Sequence, residues 1–397
     1  MAYNFGMVSP NVTYWKNRMW PCGVVLLTAL FWLNVCAAME QVTLSRDGKN
    51  VHLSGKVLVE AQDGGVLLMD REGVLWTAQP DEIVKRIADD QPFAPLGSDV
   101  LKASLLQQLG GDFRFHQTAH YLIAYNTSQA YAEWCGSLYE RLYRAFHNYW
   151  EKRGVTLVES EVPLIALVFD GKVSYGKYAR TELGETTSSV IGYYSLRTNR
   201  VAMYDLTRTD SLRERNPRIS SAAHVNRILS QPGGERTVAT IIHEATHQLA
   251  YNCGMHDRSA SIPLWLSEGM AIYFETPDLK SSSGWRRIGS INRVRLAGFR
   301  QYLRTRPADS LLTLLASDLR LRQTRTAADG YAEAWALSYY LINRHQKAYA
   351  KYIQTLAAKK PLQVDTPEER VAEFQAAFGE DLQKLDQDFL RYMQRLR

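Results

Sequence analysis

No long run of basic residues occurs in this sequence. The net charge is only +6, and lysine and arginine are scattered along the chain, so nucleic acid is not an expected partner. Internal repeats and low-complexity tracts are also missing, which leaves no basis for a solenoid or a linker-rich protein. Cysteine is scarce, at four in 397 residues. Cys22 and Cys36 fall in the N-terminal stretch, so Cys135 and Cys253 remain, as one disulfide or as two buried thiols. With 46% apolar and 22% charged residues, the composition fits neither a disordered chain nor a protein that spans a membrane many times. The length allows one large domain plus a small one, or two of medium size.

The N-terminus has the layout of an export leader. Lys16 and Arg18 precede an apolar stretch over residues 24–33, and Cys36-Ala37-Ala38 follows as a cleavage site. Residues 1–38 are therefore expected to be a secretory signal peptide, with a start at Met19 left open by the long charged lead-in. An uncleaved anchor is the competing reading, although the stretch is short for a membrane span. Lipidation of Cys36 fits less well, because the preceding Val35 is not small. The expected location is exported: secreted, periplasmic or in the cell envelope.

Residues 41–90 read as short strands. Apolar runs at 51–60, 65–70 and 73–78 are separated by Asp47-Gly48, Asp63-Gly64-Gly65 and Glu72-Gly73, and Pro80-Asp81-Glu82 opens a short helix. This predicts a small barrel-like β module. A Pro- and Gly-containing linker leads to Ser98, which caps a helix ending at Gly110-Gly111. Residues 113–125 predict one strand, 128–152 a long amphipathic helix, 162–169 a buried strand, and 189–204 alternating structure with a turn near Arg197-Thr198-Asn199. From about residue 220 onward the pattern is helical. Strands first and helices after make the class α+β, with residues 98–397 as the second domain.

The chemistry is concentrated in His243-Glu244-Ala245-Thr246-His247. Residues four apart share a helix face, so both imidazoles reach one ion, and the intervening Glu stands where it can take a proton from the attacking water. Neutral imidazole suits Zn²⁺. A catalytic zinc takes three protein ligands, and a third histidine at the metzincin spacing is absent, since Ala250 and Cys253 occupy the relevant positions. Downstream, Pro263-Leu264-Trp265-Leu266-Ser267-Glu268-Gly269-Met270-Ala271-Ile272-Tyr273-Phe274-Glu275 reads as the start of a second amphipathic helix that aims Glu268 at the same ion. Of the remaining histidines, His256 lies between the two motifs and is the one candidate to line the cleft.

These two segments resemble the gluzincin metallopeptidases, which include thermolysin-like enzymes and the aminopeptidase N group. They are most similar to the peptidase MA-like family of bacterial exported proteins, over roughly residue 113 to the C-terminus. The resemblance implies a gluzincin-type domain, with a mixed sheet and then a mostly helical lobe. It implies zinc on His243, His247 and Glu268, with Glu244 as the base. Glu275 resembles the Glu that closes the aminopeptidase motif and is expected to hold the far ring nitrogen of a ligand histidine. Aminopeptidase-type relatives stabilise the oxyanion with a tyrosine at a helix start some 60 residues after the ligand Glu. Tyr331, after the turn Asp329-Gly330, matches that position. The strand that captures a free amine in those enzymes is missing, and residues 191–195 are expected to supply an edge strand for extended substrate instead.

The expected activity is thus zinc-dependent hydrolysis of peptide bonds in a peptide or protein substrate. A catalytically silent zinc-containing scaffold of the cell envelope and a zinc amidase acting on the cell wall are the alternatives. The sequence does not fix the oligomeric state, and a membrane partner enters only through an uncleaved leader.

Overall fold

The computed structural model describes residues 38–208, 221–230, 234–276 and 288–397. The expected leader therefore lies outside the described residues, apart from its last residue, Ala38. The chain divides into two compact units. One takes in residues 38–101 with Leu196–Thr198, and the other contains the rest of the described chain.

The first unit is an antiparallel sheet of β1 (Ala38–Arg46), β2 (Lys49–Glu60), β3 (Val66–Asp70), β4 (Leu75–Ala78) and β5 (Ile83–Pro92), in the order β4-β3-β2-β1-β5. Asp47 and Gly48 turn β1 into β2 with positive φ at both residues, 51° and 72°, as a two-residue hairpin turn requires. Val42, Leu44, Val66, Leu68 and Ala78 form its small core. The predicted helix at Pro80–Glu82 is a single 3₁₀ turn, after which the chain returns as β5. The sheet is open, not barrel-like as expected. β4 has four residues and β5 is solvent-exposed along most of its length, so neither edge offers the ladder that closure needs.

The second unit begins with α1 (Ser98–Leu109), then β6 (Arg114–Gln117), β7 (Tyr121–Tyr125), α2 (Gln129–Glu151), β8 (Leu164–Phe169), α3 (Lys172–Leu183), β9 (Gly192–Tyr194) and β10 (Arg200–Tyr204). The sheet order is β6-β7-β8-β10-β9, with parallel pairing of β7 to β8 and of β8 to β10, and antiparallel pairing at both edges. The single strand predicted over 113–125 is a hairpin, because Thr118 turns the chain by accepting from the Tyr121 amide. Helix α3 was not foreseen, since few of its residues are buried and its apolar periodicity is faint.

Helices follow: α4 (Ala222–Leu229), α5 (Gly234–Asn252), α6 (Leu264–Phe274), α7 (Arg293–Tyr302), α8 (Ser310–Ala316), α9 (Leu319–Arg322), α10 (Thr324–Arg344), α11 (Gln346–Ala357), α12 (Pro367–Phe378) and α13 (Leu382–Arg395). The fold class is α+β, as expected, with a mixed sheet and then a mostly helical lobe. Among the described residues no helix is long and apolar enough to cross a membrane. Cys135 and Cys253 are both buried free thiols.

Helix α2 starts where Ser128 accepts from the Tyr131 amide, and it buries Tyr131, Leu138, Leu142, Phe146 and Trp150 on one face. Each such side chain contributes roughly 1.5–3 kcal/mol by leaving water. The helical lobe is also pinned by a buried ion network. Glu333 of α10 is fully buried and meets Arg306 and Arg320 at 2.7 Å each, while Arg306 reaches Asp386 of α13 at 2.6 Å. Ser310 Oγ donates to the same Glu333 carboxylate. Removing the acid leaves Arg320 without its carboxylate and buried Arg306 with Asp386 alone. Glu333→Ala is therefore expected to lower unfolding free energy by about 3–5 kcal/mol in chemical denaturation. A loss under about 1 kcal/mol would mean that the network contributes little.

Candidate metal centre

Helix α5 carries His243, Glu244 and His247, all buried. Its flanks Val238, Ile241, Ile242, Ala245 and Leu249 are buried as well. Polar contacts seat it on the second unit's sheet. The Gln248 amide donates to the carbonyls of Ile165 and Asn199 at 3.0 and 2.9 Å. Asn252 and Asn199 exchange side-chain hydrogen bonds at 2.7 and 2.8 Å, with Asn199 at φ 60° in the turn before β10.

Helix α6 carries Glu268. It was expected to be amphipathic, but every residue in it is buried, as in a helix enclosed by its neighbours. Gly269 permits that enclosure. A Cβ there would stand 2.2 Å from Ser338 Oγ and 2.4 Å from the Ala334 carbonyl oxygen, so α6 and α10 touch backbone to backbone.

The two helices bring three lone-pair atoms together. His247 Nε2 is 3.0 Å from His243 Nε2, and Glu268 Oε2 is 3.0 Å from His243 Nε2 and 3.7 Å from His247 Nε2. The Glu268 carboxylate is fully buried and meets no donor other than these two imidazoles. Among the described residues, these three make the one group of His, Cys, Asp or Glu side chains placed to share a metal ion. Residues 237–363 match a family described as a protein of unknown function, DUF1570. That match spans both helices, all three ligand candidates and Tyr331. No curated protein matches the chain.

The far nitrogens of the two histidines are held as well. His243 Nδ1 meets Glu275 Oε1 at 2.8 Å, the partner expected from the sequence. Asn292 steadies the other Glu275 oxygen at 3.1 Å. His247 Nδ1 is 3.2 Å from Ser267 Oγ, a contact that sequence reasoning missed because serine beside a ligand position carries no signal of its own. The Nδ1 hydrogen bonds leave the Nε2 atoms free for the ion.

Glu244 Oε2 accepts the backbone N–H of Tyr194 at 2.7 Å, while its buried Oε1 has no partner. Tyr194 belongs to β9, the edge strand expected at 191–195. Tyr331 is buried, but it does not start a helix as expected. Helix α10 already begins at Thr324, because Asp329-Gly330 continues the helix instead of turning. Burial pushes the Tyr331 hydroxyl well above its ordinary value, and the charges of Glu268 and Glu244 add to this, so it stays protonated. The Arg295 guanidinium lies over its ring at 5.7 Å. His256 is buried, with Nδ1 on the Met255 carbonyl at 2.8 Å and Nε2 unpartnered.

The protonation states follow from this crowding. Burial alone would lower His243, but Glu268 and Glu275 hold it up at about 10. Burial would raise Glu268, but the two histidines hold it down at about 2. Burial pushes Glu244 up to about 8. Burial lowers His247, and it brings His256 down to about 3.

The consequence for stability has a definite sign. His243 and Glu244 are raised on folding, so each contributes a fall in stability as pH rises, His243 between 6.5 and about 10 and Glu244 between 4.5 and about 8. The lowered groups act only below about 6.5. Metal-free protein should therefore melt at progressively lower temperature from pH 6.5 to 9 in calorimetry. A flat profile over that range would contradict these states.

Proposed function

We propose that this chain is an exported zinc-dependent peptidase that cleaves peptide bonds. The observation that carries the reading is the meeting of His243, His247 and a buried Glu268 that faces only these two imidazoles, with the half-satisfied Glu244 on the helix of the histidines. A buried carboxylate is costly unless a cation offsets it, and two imidazoles with one carboxylate are a donor set suited to zinc. The resemblance of both motifs to gluzincins supports the same assignment, and the leader pattern supports export.

His243, His247 and Glu268 would hold the zinc, with Glu275 orienting His243. When bound, the ion supplies Lewis acidity, which polarises a carbonyl and makes water more acidic. The Tyr194 amide fixes Glu244 through Oε2 and leaves Oε1 to take the proton of the attacking water. Once protonated, the Glu244 carboxyl can pass that proton to the leaving amine. Tyr331, kept protonated, donates to the developing oxyanion.

The purified mature chain is expected to hold about one zinc per molecule by plasma mass spectrometry after dialysis against a weak chelator. Glu244→Gln should keep that zinc while its kcat on a peptide library drops by about 10²–10⁴. Tyr331→Phe should lower kcat by about 10²–10³. Undiminished turnover in Glu244→Gln would sink the assignment. Release from muropeptides with no peptide cleaved would instead favour a cell-wall amidase, and well-folded protein without zinc would favour a scaffold.

A further inference from the structure

The two histidines are backed by different chemistry. His243 Nδ1 faces the Glu275 carboxylate, which when ionised can only accept. His247 Nδ1 faces Ser267 Oγ, and the Ser267 side chain in turn hydrogen-bonds the Tyr251 hydroxyl. His247, Ser267 and Tyr251 are all buried, so bulk water does not compete for these bonds.

A hydroxyl donates as readily as it accepts. Ser267 alone therefore leaves the position of the His247 proton open. If Ser267 donated to Nδ1, the ring proton would sit on Nε2, the atom 3.0 Å from His243 Nε2, and an N–H there bars a metal ion. If Ser267 accepts from Nδ1–H, Nε2 is bare, but the Ser267 proton then needs an acceptor. Tyr251 is that acceptor. It lies one turn after His247 on α5, and Ser267 immediately precedes Glu268 on α6, so the bonds cross between the two ligand-bearing helices. The Tyr251 ring is held by stacking on Tyr194 at 5.9 Å and by an edge contact with His256 at 5.2 Å.

We propose that Ser267 and Tyr251 form a two-hydroxyl relay, running from His247 Nδ1–H to Ser267 and on to Tyr251, that holds His247 in the tautomer with Nε2 bare. Both are positioning residues. They act through His247, and the relay carries no net charge, so one ligand is backed by a carboxylate and the other by neutral hydroxyls. The inference rests on the metal site proposed above, but the tautomer itself is a property of the metal-free protein and can be read there.

The test uses the full mature chain with ¹⁵N-labelled histidine. Long-range proton–nitrogen correlation spectra of metal-free protein report which ring nitrogen of His247 bears the proton. Zinc affinity is then measured by competition with a chromophoric chelator. Wild type should show His247 as the Nδ1–H form. Ser267→Ala should lose that single tautomer and weaken zinc binding by about 10–100-fold. Ser267→Thr, which keeps the hydroxyl, should retain both properties, and Tyr251→Phe should shift the tautomer towards a mixture. If Ser267→Ala does not fold, the Tyr251→Phe spectrum decides the matter, since that variant removes one oxygen and keeps the ring. An Nε2–H His247 in wild type, or unchanged tautomer and affinity in the variants, overturns the relay. An Nδ1–H form that the variants disturb, in protein that takes up no zinc, upholds the relay and removes the peptidase reading.

Discussion

Glu268 is a carboxylate taken wholly out of water, on a helix with no exposed residue. An isolated ion in that position would be driven to its neutral form. It stays ionised because two imidazoles lie against it, and one of them is itself gripped from behind by Glu275. The surrounding architecture serves this arrangement. Gly269 lets α10 close over α6, the Asn199–Asn252 pair and Gln248 lock α5 to the sheet, and the Arg306–Glu333–Arg320 cluster stiffens the helix that carries Tyr331.

The ionisable groups divide by what they touch. Those facing an opposite charge, His243 and Glu268, are strongly biased towards the charged form. Those for which loss of water outweighs the neighbouring charges, Glu244 and His256, are biased towards the neutral form. The neighbours His243 and Glu244 on one helix, and the carboxyls of Glu244 and Glu268 on facing helices, thus acquire opposite tendencies.

Much of the site was readable before the fold. The spacing of His243 and His247 fixes a shared helix face whatever surrounds it, and Glu268 and Glu275 follow from two acids seven residues apart along one helical run. The features missed are those with no local pattern. Tyr194 contributes a backbone amide, which any residue has, and Ser267 and Tyr251 look like ordinary helix residues. Tyr331 is not the helix start that was expected, because Asp-Gly signals a turn only where tertiary packing does not extend the helix through it. Barrel closure failed for a related reason: strand runs can be read along the chain, but whether the last edge finds the first depends on lengths and exposure that emerge only in three dimensions.

The Tyr194–Glu244 hydrogen bond has a practical consequence for where the chain can be cut. The family match starts at residue 237, after the whole sheet. A fragment trimmed to that segment would keep all three candidate metal ligands, yet it would lack the strand that holds Glu244 in place and the carbonyl of Ile165 that anchors Gln248. It would also end before Asp386, leaving Arg306 without one of its two acids. The matched segment is therefore smaller than the packed unit that positions these side chains, and expression boundaries belong at the limits of the second compact body.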